Sequence, residues 1–548
     1  MKRNMKKLLS LALALCMIFA LAACGSGETT PSGDPNSTPS GNVSTDQPGG
    51  ETGGANDQDG NGRADKVVYA STMSYPSLNP FLNPKTFTSA VYEPLGAYET
   101  YGDKFGGLLM ESWEHPDELT YIVKLKENIT DSKGNKIDAE DVVFCYEKVR
   151  TVGEISRVSV IESVTALDEY RVEFKWAATP VVGSFESIMT VVNIVDKDEY
   201  EATGDDMSSA PVGTGPYVVS EWTSGVSMTL TVNENYWAKD DMKYNRQKQN
   251  VDVIEIQTVS ETSQISMGLQ TGTIHMTDAI SSQDAPNFQE GGMYASNHAV
   301  VETEAFAPKT LLVNTDPAAK TSDPNLRQAI IRAIDNETIA AVVNGGSNHP
   351  TYGVGSSYNP DYDAEAFKSF LPGYNVEEAK QYLAQSAYPN GTTISLLLID
   401  GGISNDVAEM VRNQLSQIGI TVEVNAEIFP NWMSKKQDPA NWDLIVSELS
   451  SSDYVTTIWQ NAFGIRNGHN EIFSDDRDQQ LMDLLAACTT EAGHTQESVN
   501  AFQKYVSEQA YAIPLLAQLQ YNVYDTGLIS EIVMSGEGCI IPQGFTYN

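Results

Sequence analysis

Few side chains in this sequence are spaced for chemistry. Six histidines, His115, His275, His298, His349, His469 and His494, are scattered. None makes an H-E-x-x-H or another close metal-ligand spacing, and no G-x-S-x-G nucleophile elbow occurs. Gly213-Thr214-Gly215 lacks the third glycine of a dinucleotide loop and runs into Pro216, so it reads as a rigid turn. Asp57, Asp59, Asn61, Gly62 and Asp65 match several positions of a calcium loop. Val68 stands where the bidentate Glu belongs, and bland local composition explains the match better. The expectation is a protein that is not an enzyme and that holds no metal and no cofactor.

One residue is spaced for covalent modification. Leu21-Ala22-Ala23-Cys24 sits behind a basic start (Lys2, Arg3, Lys6, Lys7) and an apolar run from Leu8 to Leu21. That run is too short to span a bilayer comfortably and has the layout of an export signal. The small pair followed by Cys24 and Gly25 resembles the bacterial lipobox. The resemblance implies lipidation of the Cys24 thiol, cleavage just before it, and anchoring by acyl chains alone. The other reading is an ordinary signal peptide with an incidental cysteine. The expected parts are a signal peptide over 1–23 and a lipidated, disordered tether over 24–64. The tether is rich in Gly, Ser, Thr, Pro, Asn and Asp and too poor in apolar residues to fold.

The 548 residues carry a formal charge of -39; removing the signal, with four basic and no acidic residues, leaves -43. Such a field repels nucleic acid and anionic headgroups, so neither is an expected partner. The folded part is too long for one hydrophobic core. Cys145, Cys488 and Cys539 are far apart and form no CxxC; they read as structural thiols, with one disulfide among them left open.

Alternating apolar and polar residues predict strands at 66–70, 120–125, 171–175, 227–232 and 251–256. The second half changes character. Asp323-Pro324 can open a helix whose apolar face is Leu326, Ala329, Ile330, Ala333 and Ile334. Asn375 with Glu378 resembles a capping box for a helix through Leu383. Strand 394–399, a helix lined by Val407, Val411, Leu415 and Ile418 and ended at Gly419, and strand 420–428 make a parallel crossover unit. A β-rich first part and an α/β second part suggest two domains with a cleft between them.

Pro211-Val212-Gly213-Thr214-Gly215-Pro216-Tyr217, with Trp222 and Asn233-Glu234-Asn235-Tyr236-Trp237 downstream, resembles the bacterial extracellular solute-binding proteins of family 5. Further blocks follow the family's order: Tyr92-Glu93-Pro94-Leu95, Asp138-Ala139-Glu140-Asp141-Val142-Val143-Phe144, Leu269-Gln270-Thr271-Gly272, and Leu326-Arg327-Gln328-Ala329-Ile330 through Asp335. These are the dipeptide-, oligopeptide- and nickel-class receptors of ABC importers. The resemblance implies an α/β, two-lobed periplasmic-binding-protein-like fold of class II type with a hinged interlobe cleft. Lobe I is expected over 65–305 plus 511–548, and lobe II over 306–510. It also implies a small peptide ligand, permease partners, a monomer, and a place outside the cytoplasm on the cell membrane. An oligosaccharide ligand is the alternative within the same fold.

The family's "W.aDy.dP" motif supplies an Asp for the peptide amino group. The matching stretch is Ser450-Ser451-Ser452-Asp453-Tyr454-Val455, with Ser450 in place of the Trp and no Pro after it. The resemblance therefore implies Asp453, Tyr454 and Ser452 as ligand-binding residues; the plain alternative for Asp453 is an exposed loop acid. From the first lobe, the loop Ser74 to Pro80 offers Tyr75 and Ser77, or is simply a turn. Trp432 and Trp459 either stack on ligand or belong to the core.

Overall fold

The computed structural model describes residues 61–82, 88–98, 105–152, 156–204, 206–239, 241–242, 244–304, 307–449, 454–465, 470–474, 478–534 and 540–548. Cys24, most of the tether, the carboxylates at 57 and 59, Ser452, Asp453 and Cys539 lie outside the described residues.

The first half follows the alternating pattern. It contains β1 (Ala64–Ser71), β2 (Met110–Asp117), β3 (Thr120–Leu125), α1 (Ala139–Val152), β4 (Ile161–Ala166), β5 (Arg171–Trp176), α2 (Ser184–Met189), β6 (Tyr217–Thr223), β7 (Ser227–Val232), β8 (Val251–Thr258), α3 (Thr262–Thr271), β9 (Met276–Thr277) and β10 (His298–Glu304). The second half contains β11 (Lys309–Val313), α4 (Pro324–Ala333), β12 (Asn348–Pro350), α5 (Val376–Gln385), β13 (Thr392–Ile399), α6 (Gly402–Ser416), β14 (Ile420–Glu427), α7 (Phe429–Lys436), β15 (Leu444–Glu448), α8 (Val455–Phe463) and β16 (Ala512–Asp525). Among the described residues no helix is long and apolar enough to cross a membrane.

One long sheet runs in the order β6-β7-β8-β1-β9-β16-β11-β15-β13-β14, with β10 and β12 also paired to β16; β2-β3-β5-β4 form a separate sheet. β1 is parallel to β8 and β9, and β13 is parallel to β14 and β15. β16 belongs to both ends. Its first residues pair with β11 and its last with β9 and β10. Two large cores flank this strand. One is built on Val67, Tyr69, Val123, Phe174 and Ile254; the other is built on Leu311, Ile330, Leu396, Leu398 and Val411.

Asp323 caps α4 as expected, accepting from the amides of Asn325 and Leu326 at 2.8 and 3.1 Å. The strand 394–399 and its partner are parallel in register, and Gly419 between α6 and β14 has φ +87°. Asn375 caps α5, but Glu378 does not turn back to complete a box: Arg332 Nε donates to its carboxylate at 2.8 Å. A charged partner outcompetes a backbone amide for that carboxylate. The expected tether is also too long at its end. Asn61 Nδ2 and Arg63 Nε donate to Asp252 at 3.0 and 2.6 Å, and β1 already starts at Ala64. The Gly213–Gly215 turn is a close backbone approach: a Cβ on Gly213 would lie 2.1 Å from the Val91 carbonyl oxygen.

Candidate functional site

Strand direction decides where a ligand can sit. In an open α/β sheet the carboxyl ends of parallel strands form the crevice edge, because the loops leaving them are free to vary. Here there are two such edges. The last residue of β9, Thr277, is opposite Val523 of β16. The last residue of β15, Glu448, is opposite Lys309, which is opposite Leu516 of β16. Both edges therefore face the middle of β16. The step from Leu516 to Val523 spans about 23 Å at ~3.3 Å per residue. That gap is bridged by β16 with β10 and is open to loops from both sides.

The loop after β1 leaves the first edge. Its predicted ligand residues are mostly committed elsewhere. Tyr75 is 8% exposed and packs in the first core, under the β6–β7 hairpin, whose Gly225 amide donates to the Tyr75 carbonyl at 3.4 Å. Ser77 is half-buried and closes a turn, its Oγ accepting from the Asn79 amide at 3.2 Å. Beside this loop is a residue that sequence reasoning missed. Asp278 follows β9; burial pushes its carboxyl above the usual range, and Tyr69 and Ser71 hydrogen-bond to it. No sequence signal separates it from the many other acids.

At the second edge β15 runs out through Leu449, and the described chain resumes at Tyr454. From Tyr454 onward the chain is firmly held. α8 begins without a side-chain cap of its own. Asp361, buried and 94 residues earlier, supplies one, accepting from the Val455 amide at 2.7 Å and, more weakly, from Thr456. His494 Nε2 lies 3.1 Å from the same carboxylate, and the His494 ring meets Tyr454 edge-on at 5.0 Å. Tyr454 is half-buried at this junction. The two tryptophans are a correction. Trp459 is fully buried, stacks on Phe502 at 4.7 Å and donates to the Val354 carbonyl at 2.7 Å. Trp432 is 7% exposed, between Phe429 and the Lys436 ammonium. Neither ring has a free face, because both sit on the core side of their helices.

The two sides of the gap touch at several places, Ser282 Oγ with Asn344 Oδ1 at 3.2 Å and the Glu304 amide donating to Tyr358 OH at 2.6 Å among them; one contact involves Tyr454. The Val182 amide donates to the Thr489 carbonyl at 2.8 Å, and Thr457 Oγ1 donates to the Val182 carbonyl at 3.1 Å. Gly183, with φ +80°, lets the Tyr454 ring approach: a Cβ there would lie 2.6 Å from it. Tyr121 OH reaches Glu491 at 3.4 Å.

The blocks that suggested a family make contacts within each lobe. Glu93 is fully buried and accepts from Tyr236 OH at 2.7 Å and Trp237 Nε1 at 2.9 Å, while burial pushes its carboxyl up. Asn233 Nδ2 donates to the Gly215 carbonyl at 3.0 Å, and Arg327 Nη1 to Thr321 and Ser322 carbonyls at 3.1 and 2.9 Å. Those motifs hold the scaffold. Residues 104–463 match the profile of the bacterial extracellular solute-binding proteins, family 5 Middle. The chain belongs to this family. It is 24% identical over 432 residues to the oligopeptide-binding protein AppA of Bacillus subtilis, covering 72% of this chain and 74% of AppA. The solved structure of AppA with a nonapeptide superposes with a TM-score of 0.65 at 19% identity, over 88% of this chain and 99% of that one. The glutathione-binding protein GsiB of Escherichia coli K12 is 23% identical over 515 residues, covering 87% of this chain and 93% of GsiB. NikA from Brucella suis, solved with Fe(III)-EDTA, superposes at TM-score 0.72 and 20% identity, over 88% and 100% of the two chains. The fold of this solute-binding protein is accordingly the two-lobed periplasmic-binding-protein fold with a mixed α/β sheet.

Proposed function

We propose that this solute-binding protein is the lipid-anchored receptor of an ABC importer, holding a small peptide in the gap and passing it to the permease. The observation that carries this reading is the pair of carboxyl edges facing each other across Leu516–Val523. The names of AppA and GsiB favour a peptide. An oligosaccharide loses its support because Trp432 and Trp459 are buried. The lobes are 65–305 plus 511–548, extended back to Asn61, and 306–510. The receptor works as a monomer tethered through Cys24 on the outer face of the membrane, and catalyses nothing. Asp453, with Ser452 and Tyr454, takes the α-ammonium of the peptide, since a cation losing water in a closing cleft needs a paired charge. The test uses the best peptide found by thermal-shift screening. Asp453→Asn should weaken it by about 3 kcal/mol, and N-acetylation should cost the wild type as much and the variant little more. Equal affinity of wild type and variant refutes the assignment; no stabilisation by any peptide refutes the ligand class.

A further inference from the structure

We propose that the outer edge of β10 docks an extended, basic segment of a partner protein by strand addition, at a site separate from the one that holds the transported peptide. The pairing of β16 leaves that edge open. Val523 of β16 is opposite Thr277 of β9 and also opposite Val300 of β10, so β9 and β10 take opposite edges of β16. β10 pairs with no other strand.

Which of its backbone groups are available follows from the alternation of the ladder. In an antiparallel pair, alternate residues turn both N–H and C=O to the partner, and the residues between turn both away. The Thr526 amide donates to the Asn297 carbonyl at 2.9 Å, which sets the odd-numbered residues of β10 toward β16. Glu304 agrees, since its amide points outward and donates to Tyr358 OH at 2.6 Å. Val300 and Glu302 therefore turn their N–H and C=O groups outward, and among the described residues nothing pairs with them. Sheet edges are usually blunted by Pro, Lys or a bulge. β10 contains neither residue and keeps its register with β16 without a shift from His298 to Glu304.

The edge borders a groove of about 800 Å³, walled on its other side by the loop through Phe288, Gln289, Gly291 and Ser296. Gln289 Nε2 donates to Glu302 at 2.5 Å and ties that wall to the strand. Met293 of the same loop is 77% exposed and offers an adaptable apolar contact. None of the residues assigned to the transported peptide lines this groove.

Charge names the occupant. Residues 249–308 hold eight Asp or Glu and no Lys or Arg. Glu290 and Glu302 are exposed at the groove itself. A cationic strand satisfies both this field and the open backbone groups. The chain's own residues 24–60 hold six Asp or Glu and no Lys or Arg, and a second copy carries the same net negative charge, so both are repelled.

The test adds an alternating Lys-Val peptide to the full-length receptor, acetylated and amidated so that it has no terminal ammonium for Asp453. Hydrogen exchange over 298–304 should slow by about tenfold on binding, with 139–152 unchanged. The same peptide methylated on alternate backbone nitrogens keeps its charge and should bind about tenfold more weakly. Val300→Pro removes an outward N–H without touching the ladder to β16, and should weaken the probe about tenfold. Glu290→Lys/Glu302→Lys, at two exposed positions, should do the same with the edge intact. Equal binding of the methylated peptide, undiminished binding by either variant, or no binding at all overturns the inference. Protection over 454–463 in place of 298–304 puts the probe in the gap and overturns it as well. Protection of 298–304 that needs no probe and grows with receptor concentration gives the edge to a second copy and overturns the partner.

Discussion

Asp361→Ala removes a helix cap supplied from a distant part of the chain, and the consequence can be worked out locally. The carboxylate is 4% exposed; it holds the Val455 amide at 2.7 Å and lies 3.1 Å from His494 Nε2. Alanine leaves a buried N–H unmet, worth about 1–3 kcal/mol, and uncaps α8, worth about 0.5–2 kcal/mol. The two losses overlap, so opening of the first turn of α8 should become easier by about 2–4 kcal/mol, or about 30- to 1,000-fold. Asp361→Asn keeps an acceptor for Val455 and should cost roughly 1 kcal/mol. Hydrogen exchange read by mass spectrometry over 454–463 measures this directly, with 139–152 in the first half as internal control. Because Tyr454 directly follows Asp453 in the chain, ligand affinity should fall in the same order, Ala more than Asn. Exchange within about threefold of wild type in Asp361→Ala would show that the cap is supplied by something else, and that the loop is not held from this side.

Gly183→Ala puts a Cβ at φ +80° and 2.6 Å from the Tyr454 ring. It should cost about 1–2 kcal/mol in strain and open the contact between the two sides of the gap; an unchanged radius of gyration by small-angle scattering with ligand bound contradicts this. Asp141 is pushed up to about 6, chiefly by burial and against the amides of Asp138 and Lys197. A raised carboxyl contributes stability below its ordinary value near 4 that is lost as pH rises through 6, about 3 kcal/mol at most. Urea denaturation of wild type and Asp141→Asn should show the wild type losing ground relative to the variant between pH 4.5 and pH 7; a gap independent of pH counts against it. Cys24→Ala should leave the protein released or unprocessed, and a processed-size variant still sedimenting with membranes would rule out acyl anchoring.

The strands, helix caps and two-core organisation were legible because each rests on local rules. Alternation at 120–125 and 251–256, the Asp323 cap and the crossover unit over 392–427 needed only neighbours in sequence. The family was legible for a related reason. Its motifs, Tyr92 to Leu95 and Asn233 to Trp237 among them, form buried knots such as Glu93 with Tyr236 and Trp237. Such knots tolerate little change.

The site was much less legible. Tyr75, Trp432 and Trp459 have the right chemistry for a ligand, but which face of an aromatic ring is covered depends on packing partners far away in the chain, Phe502 for Trp459 among them. Asp361 and His494 are separated by 133 residues and become a pair only when α8 docks. By itself the sequence determined the family and the sequence of elements, both properties of local pattern. Only the tertiary structure decided that two carboxyl edges face one gap along β16, that Val182 and Gly183 meet Thr457 and Tyr454 across it, and that α7 buries Trp432 while leaving Phe429 exposed. Those outcomes depend on strand order and register, which distant segments set together through pairing and burial.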